Sequence, residues 1–349
     1  MENNQVRESL ANKYRPSDFE QVTAQKAVIS ILKNQIKDGT FPHFVIFAGP
    51  PGVGKTTLAR IFAKKINNQE HPDIIEIDGA SRNRVDDMKA VTDDARKKSL
   101  ISPYKIYIID EVHRVTTDGQ NVLLKTLEDC PPYTIFLMAT TDPQKILPTV
   151  VSRAQVYRIT KIPINDIIAR LKYICDNEGF TYEESALSYI ARLSKGGMRD
   201  AISRLDMCSS LDHNITLKNV VSVLGLSDDN VDSDLLYSIY DALYTDNEAN
   251  REASEKCIIN ILEQIYNSGK DIKLFLEQFY QFVLDIIKYK LFNSPLNTNL
   301  LLTAQLQKDI ASYELPKLKK IMEKILTLMQ NIKNNTDPLQ MIEGYLLLK

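Results

Sequence analysis

The segment Gly49-Pro50-Pro51-Gly52-Val53-Gly54-Lys55-Thr56 has the spacing G-x-x-x-x-G-K-[ST]. That spacing suits a polyphosphate. The glycines let the backbone curl so that its N–H groups point inward at phosphate oxygens. The helix opened by Lys55, Thr56 and Thr57 presents the positive end of its dipole to the same anion. Lys55 would bring a point charge to the β- and γ-phosphates and is expected to stand exposed in the empty cradle. The Thr56 hydroxyl would take one position on Mg²⁺.

A second group of candidates lies further along the chain. Ile106-Tyr107-Ile108-Ile109-Asp110-Glu111 places two carboxylates at the end of an apolar run. Asp110 would hold Mg²⁺, directly or through water, and Glu111 would act as general base on an attacking water. A third run, 134–139, leads into Thr140-Thr141-Asp142-Pro143. A hydroxyl at that tip can hydrogen-bond a γ-phosphate or the attacking water.

These groups need a scaffold that brings the ends of several strands together. The runs 44–48, 74–77, 106–109 and 134–139 are apolar at nearly every position, as strands covered on both faces must be. Helical patterns at 57–66, 85–98 and 120–127 alternate with them. The alternation predicts an α/β domain with a parallel, doubly wound sheet, whose ligands bind beyond the carboxyl ends of the strands. The pattern changes at Ile162-Pro163-Ile164-Asn165-Asp166, and from there the sequence reads as almost wholly helical. Segments 167–175, 186–193 and 200–209 form one set. Longer amphipathic segments, 257–266 and 272–289, follow a polar turn at 226–230. The expected division is 1–162 nucleotide-binding core, 163–226 small helical domain and 227–349 all-α domain.

The bulk composition narrows the classes. The chain has 349 residues, 44% hydrophobic and 25% charged, which excludes a largely disordered chain. Lys and Arg total 43 against 45 Asp and Glu, a net charge of −2. A uniformly basic nucleic-acid coat protein is excluded, whereas a local basic patch is not. The cysteines Cys130, Cys175, Cys208 and Cys257 form no C-x-x-C pair, so zinc knuckles and thioredoxin-like motifs are out. The polar start and the lack of a long apolar run predict a cytoplasmic protein with no membrane partner.

Taken together, the motifs resemble the gamma/tau subunits of bacterial DNA polymerase III clamp loaders, which are AAA+ ATPases. The matching stretches are Lys13-Tyr14-Arg15-Pro16, the phosphate loop, 74–82, Ile109-Asp110-Glu111-Val112-His113, 123–128, 139–145, Ser152-Arg153 and Gly196-Gly197-Met198-Arg199-Asp200-Ala201. They cover about residues 10–210, while the last 120 or so match only as a helical region of suitable length. The resemblance implies ATP as the nucleotide. It assigns the adenine-side wall to Tyr14, Arg15 and Pro16, and γ-phosphate sensing to Thr141. It makes Arg153 an arginine finger donated to a neighbouring subunit's site, and Arg199 a second sensor on a lid domain. Taken bare, Arg153 and Arg199 read as surface or capping arginines. The resemblance further implies that Arg82, Arg84, Lys125 and Lys145 line a DNA-phosphate surface, with binding that is salt-sensitive and sequence-independent. Partners implied are delta- and delta-prime-type subunits in a hetero-pentamer, a sliding clamp and primer–template DNA, within the replisome.

The sequence also departs from the family pattern. The family's four-cysteine zinc module would fall between the first helix and the second strand, where only 66–73 stand here, without cysteine. No zinc is expected. The family's Ser-Arg-Cys motif is Ser152-Arg153-Ala154. The chain ends at Lys349, near the end of the family's third domain, so contacts made by longer forms are not implied. His113 reads as local scaffolding. Competing readings are a structural subunit that only donates an arginine, a replication factor C small subunit and a branch-migration motor. The intact Lys55, Thr56, Asp110 and Glu111 disfavour the first.

Overall fold

Strand β1 (Phe44–Ala48) is buried at every position, as are all seven residues of β4 (Thr134–Thr140) and all of β3 (Lys105–Asp110) but its last. They occupy the middle of a five-stranded sheet flanked by β2 (Ile74–Asp78) and β5 (Gln155–Arg158). The order is β2-β3-β4-β1-β5 and every pairing is parallel. The structure is a computed structural model. It describes residues 8–67, 72–224, 256, 259–261, 263, 272–292 and 314–332.

Alternation along each strand sorts the core into two layers. Val45, Phe47, Ile106, Ile108, Ile135 and Leu137 face Leu32 of α2 (Lys26–Asp38) and Leu58, Ile61 and Phe62 of α3 (Lys55–Asn67). Phe44, Ile46, Tyr107, Ile109, Phe136 and Met138 face the other layer. That layer holds Met88 and Val91 of α4 (Val85–Ala95), Leu123 and Leu127 of α5 (Thr117–Glu128) and Val150 of α6 (Pro148–Val151). The short helix α1 (Leu10–Lys13) precedes all of these.

Two elements differ from the expected ones. The helix expected over 85–98 stops at Ala95, because the carbonyls of its last turn are taken by the sheet. Lys105 Nζ donates to Asp94 O (3.1 Å), Thr134 Oγ1 to Ala95 O (2.8 Å) and Tyr133 OH to Arg96 O (2.6 Å). Strand β5 was not expected, and only Tyr157 of its four residues is buried, so the edge shows no apolar run.

After the sheet come α7 (Ile164–Glu178), α8 (Glu184–Leu193) and α9 (Met198–Leu211). The stretch is not wholly helical. Two-residue strands β6 (Thr181–Tyr182) and β7 (Asn214–Ile215) pair in parallel and tie the ends of the helical set. Helix α10 spans Leu217–Val223. The chain divides into two compact units, Met1–Leu217 and Lys218–Lys349. In the second, α11 (Ile272–Phe292) packs on α12 (Leu315–Ile332), and Phe279, Val283 and Ile286 of the one and Leu318, Ile321 and Ile325 of the other are buried. The expected turn at 226–230 and most of the expected helix 257–266 lie outside the described residues. Among the described residues no helix is long and apolar enough to cross a membrane.

Candidate nucleotide site

The carboxyl ends of β1 and β3 meet the start of α3, and there the sequence motifs converge. A cleft of about 450 Å³ is lined by Tyr14, Arg15, Pro16, Pro51, Gly52, Val53, Gly54, Lys55, Thr56, Thr57, Asp110, Glu111 and Arg199. These thirteen were all singled out from sequence. Val22, Thr23, Arg60, Arg170 and Ile202 also line it and were missed, and Met198, which stood in a matching stretch without a role, lines it too. Arg170 and Ile202 sit inside helices with no local motif, so only tertiary folding shows that they reach the cleft.

The loop conformation depends on glycine. Gly54 has φ +99°, where an L side chain is strained, and a Cβ on Gly49 would stand 2.2 Å from the Ile159 carbonyl oxygen. Lys55 departs from its expected exposed state. It is 6% exposed, and its ammonium donates to Pro50 O at 2.8 Å. Burial pushes its pKa down, opposed by the charges of Glu111 and Asp110.

Thr56 Oγ1 donates to Asp110 Oδ2 at 2.9 Å, and the Glu111 N–H donates to Asp110 Oδ1 at 3.0 Å. Glu111 itself is left-handed, φ 48° and ψ 44°, a conformation that costs about 1–3 kcal/mol and gathers at functional sites. It is over-determined from β2. The Gly79 N–H donates to Asp110 O at 2.8 Å, and a Cβ on Gly79 would sit 2.8 Å from Asp110 O and 2.9 Å from Glu111 O. The Glu111 carboxylate accepts from Thr141 Oγ1 (3.0 Å) and Thr141 N–H (3.3 Å), and His113 Nδ1 lies 3.2 Å away.

Gly49, Pro50 and Thr141 line an adjoining, more apolar cleft rather than this one. Thr141 therefore communicates with the first cleft through Glu111. On the opposite side, the Arg199 N–H donates to Gly52 O at 3.3 Å, which joins the start of α9 to the loop. Arg15 stands close enough to Arg60 and Arg199 that burial first, and those two charges second, lower its pKa. Arg60 makes a bidentate pair with Glu76 at 2.7 and 2.6 Å. The segment carrying Tyr14 is pinned to α7. Tyr14 OH donates to Glu178, and Arg170 donates to Tyr14 O at 3.0 Å. Burial and the Glu178 bond push the Tyr14 phenol up to about 12.

The residue types fit a magnesium–nucleotide complex. Mg²⁺ takes one or two protein oxygens and completes its shell with phosphates and water, and Thr56 with Asp110 supply two adjacent hard oxygens. Among the described residues no group of three or more His, Cys, Asp or Glu gathers that would hold a metal unaided.

The remaining candidates lie outside the cleft. Arg153 is exposed, and its guanidinium bridges Thr149 O (3.0 Å) and Glu128 (2.7 Å). Arg82, Arg84, Lys125 and Lys145 are all exposed. Asn83 O accepts from the Thr116 N–H and Lys145 O from Gln120 Nε2, so three of these four cations flank the first turn of α5. Lys125 lies about two turns further along the same helix. Lys145 also pairs with Asp142 at 3.0 Å.

Several known proteins are similar to this chain. A family described as "DNA polymerase III clamp loader subunit, ATPase lid domain" matches residues 166–207. One described as "DNA polymerase III, delta subunit" matches 63–163. DNA polymerase III subunit tau/gamma of Haemophilus influenzae is 37% identical over 252 residues, 66% of this chain and 37% of that one. Subunit tau of Bacillus subtilis is 33% identical over 304 residues, covering 81% of this chain and 52% of that one. Over most of its length the chain is similar to DNA polymerase III tau/gamma subunits. It spans between about a third and a half of the length of those two relatives. Its fold is also that of the Thermotoga maritima RuvB Holliday junction branch migration motor. The TM-score is 0.50 at 22% identity, over 74% of this chain and 86% of that one. The stretch that matches the lid family, 166–207, takes in most of α7, all of α8 and most of α9.

Proposed function

We propose that the chain is an ATPase subunit of a DNA polymerase III clamp loader, which binds and hydrolyses ATP to open a sliding clamp and load it on primer–template DNA. The observation that carries this reading is the convergence of Lys55, Thr56, Asp110 and Glu111 on one cleft, with Arg199 of the lid on its far side. Residues 1–162 form the ATPase core, 163–226 the lid and 227–349 a helical oligomerisation collar. The cofactor is Mg²⁺ with ATP, and the chain carries no zinc.

Each residue has a role that follows from its place. Tyr14, Arg15 and Pro16 wall the nucleoside end. The N–H groups of the loop and the ammonium of Lys55 bind the β- and γ-phosphates, which displaces Lys55 from Pro50 O. Thr56 and Asp110 would hold Mg²⁺, which would supply neutralisation of phosphate charge. Glu111 accepts the proton of the attacking water. Thr141, bonded to Glu111, reports the γ-phosphate to it. Arg199 carries the same information to the lid. Arg153 completes a neighbour's site and stabilises charge in the transition state. Arg82, Arg84, Lys125 and Lys145 contact DNA phosphates. Partners are delta- and delta-prime-type subunits in a hetero-pentamer, and the clamp, with the assembly working in the cytoplasmic replisome.

Glu111→Gln tests the core of this reading. ATP affinity, measured by equilibrium binding, should be retained while hydrolysis falls by about 10²–10⁴. A Glu111→Gln protein that hydrolyses ATP at the wild-type rate overturns it. Adding the partner subunits, clamp and primed DNA singly and together then tests the loading step.

A further inference from the structure

The Glu111 carboxylate is held in an uneven way. Thr141 Oγ1, Thr141 N–H and His113 Nδ1 all converge on Oε2, at 3.0, 3.3 and 3.2 Å. Oε1 has no hydrogen-bond donor among the described residues. His113 is itself fixed. Its side chain is 10% exposed, and Nδ1 lies 3.1 Å from the hydroxyl of Thr140, a fully buried residue whose Oγ1 accepts from the Asp142 N–H. Nδ1 makes its hydrogen bond with the Thr140 hydroxyl and lies 3.2 Å from Glu111 Oε2 as an ion-pair contact. The imidazole belongs to the short helical turn 112–114, directly after the left-handed Glu111. The same turn that strains the Glu111 backbone therefore places a polar ring edge against its side chain.

We propose that His113 is a positioning residue for hydrolysis. Its imidazole edge, fixed on Thr140 and 3.2 Å from Oε2, holds that oxygen in place, and this leaves Oε1 as the oxygen that takes the proton of the attacking water. Thr141 shares the anchor, and its hydroxyl has a second use at the γ-phosphate. When Thr141 turns to the phosphate, His113 is the side chain that keeps the carboxylate in place. The inference rests on the reading of Glu111 as general base.

The test uses the full chain in its ATP-hydrolysing assembly and separates kcat from nucleotide affinity. His113→Ala should lower kcat by about tenfold or more, a fraction of what the base itself supplies, with ATP affinity within about twofold of wild type. Asn places its amide N–H where Nδ1 stands, whereas Gln places it nearer Nε2. His113→Asn should thus recover most of the lost rate, and His113→Gln should not. In a Glu111→Gln background, His113→Ala should cost nothing further, because both changes remove the same interaction. Equal rates for His113→Asn and His113→Gln overturn the inference, as does an additive loss in the double variant. Should His113→Ala fail to fold, the Asn–Gln comparison decides alone. An inactive Glu111→Gln protein with an unaffected His113→Ala protein overturns this inference only. A fully active Glu111→Gln protein overturns the general-base reading beneath it.

Discussion

Lys55 sits in a low-dielectric place, with its ammonium on a backbone carbonyl and two carboxylates nearby. Burial of a cation costs free energy unless charge and hydrogen bonds offset it, and here the lowered pKa shows that burial is the largest influence. The nucleotide-free chain therefore carries a destabilising group whose use appears only when phosphate arrives. Lys55→Met should bind ATP too weakly to measure. It should also raise the stability of the nucleotide-free chain at pH 7, by about 1 kcal/mol. Thermal unfolding with and without Mg–ATP checks both: the wild type should gain Tm with nucleotide, and the variant should start higher and gain nothing. A variant that starts lower would mean that the ammonium–Pro50 bond stabilises the loop by more than burial costs. Glu111 is the second residue in a strained state, held by Gly79. Lys55, Glu111 and Gly79 were each visible in the sequence as motif members, but neither the desolvation of the first nor the strain shared by the others was, since both depend on neighbours 30 or more positions away.

At the scale of elements, the sheet was legible where its strands are covered on both faces, because β1, β3 and β4 have to be apolar throughout. The edge strand β5 and the two-residue pair β6 and β7 bury too few side chains to leave a pattern. The end of α4 was misplaced for a different reason. Its helical pattern runs on, yet Lys105, Tyr133 and Thr134 claim its last carbonyls. That junction also sets a pH dependence. The Lys105 ammonium (2.7 Å) and then the Tyr107 hydroxyl (2.7 Å) hold the Asp94 carboxylate below its ordinary range. A depressed carboxylate stabilises the fold above its unfolded pKa, about 3.9, and that contribution is lost as pH falls through the folded value. Asp94→Asn should lower the denaturant midpoint at pH 6. The gap to the wild type should narrow steadily below about pH 4, as read by unfolding curves across the acid range. A gap that stays constant would show that the pair adds no pH-dependent stability.

At the scale of the whole molecule, the cleft holds an incomplete set of charges. It gathers Lys55, Arg15, Arg60, Arg170 and Arg199, but Arg153 stays outside it, bridged to Glu128 and Thr149. An exposed pair of this kind is worth about 0–1 kcal/mol, so little is lost when a neighbouring copy or partner subunit offers a γ-phosphate instead. A finger that acts only in trans leaves a specific signature. Arg153→Ala should leave ATP affinity of the isolated chain unchanged. In the assembly it should reduce DNA- and clamp-stimulated hydrolysis by at least about tenfold, within the 10³–10⁵ that such arginines supply in well-studied cases. Mixing the variant with a Glu111→Gln chain sharpens the result. The arginine and the base then sit on different subunits, and some sites pair an intact base with a neighbour's intact finger. Activity should return in the mixture in proportion to those sites. An Arg153→Ala protein with an undiminished stimulated rate would place the finger elsewhere, and the assembly would then couple its subunits by another route.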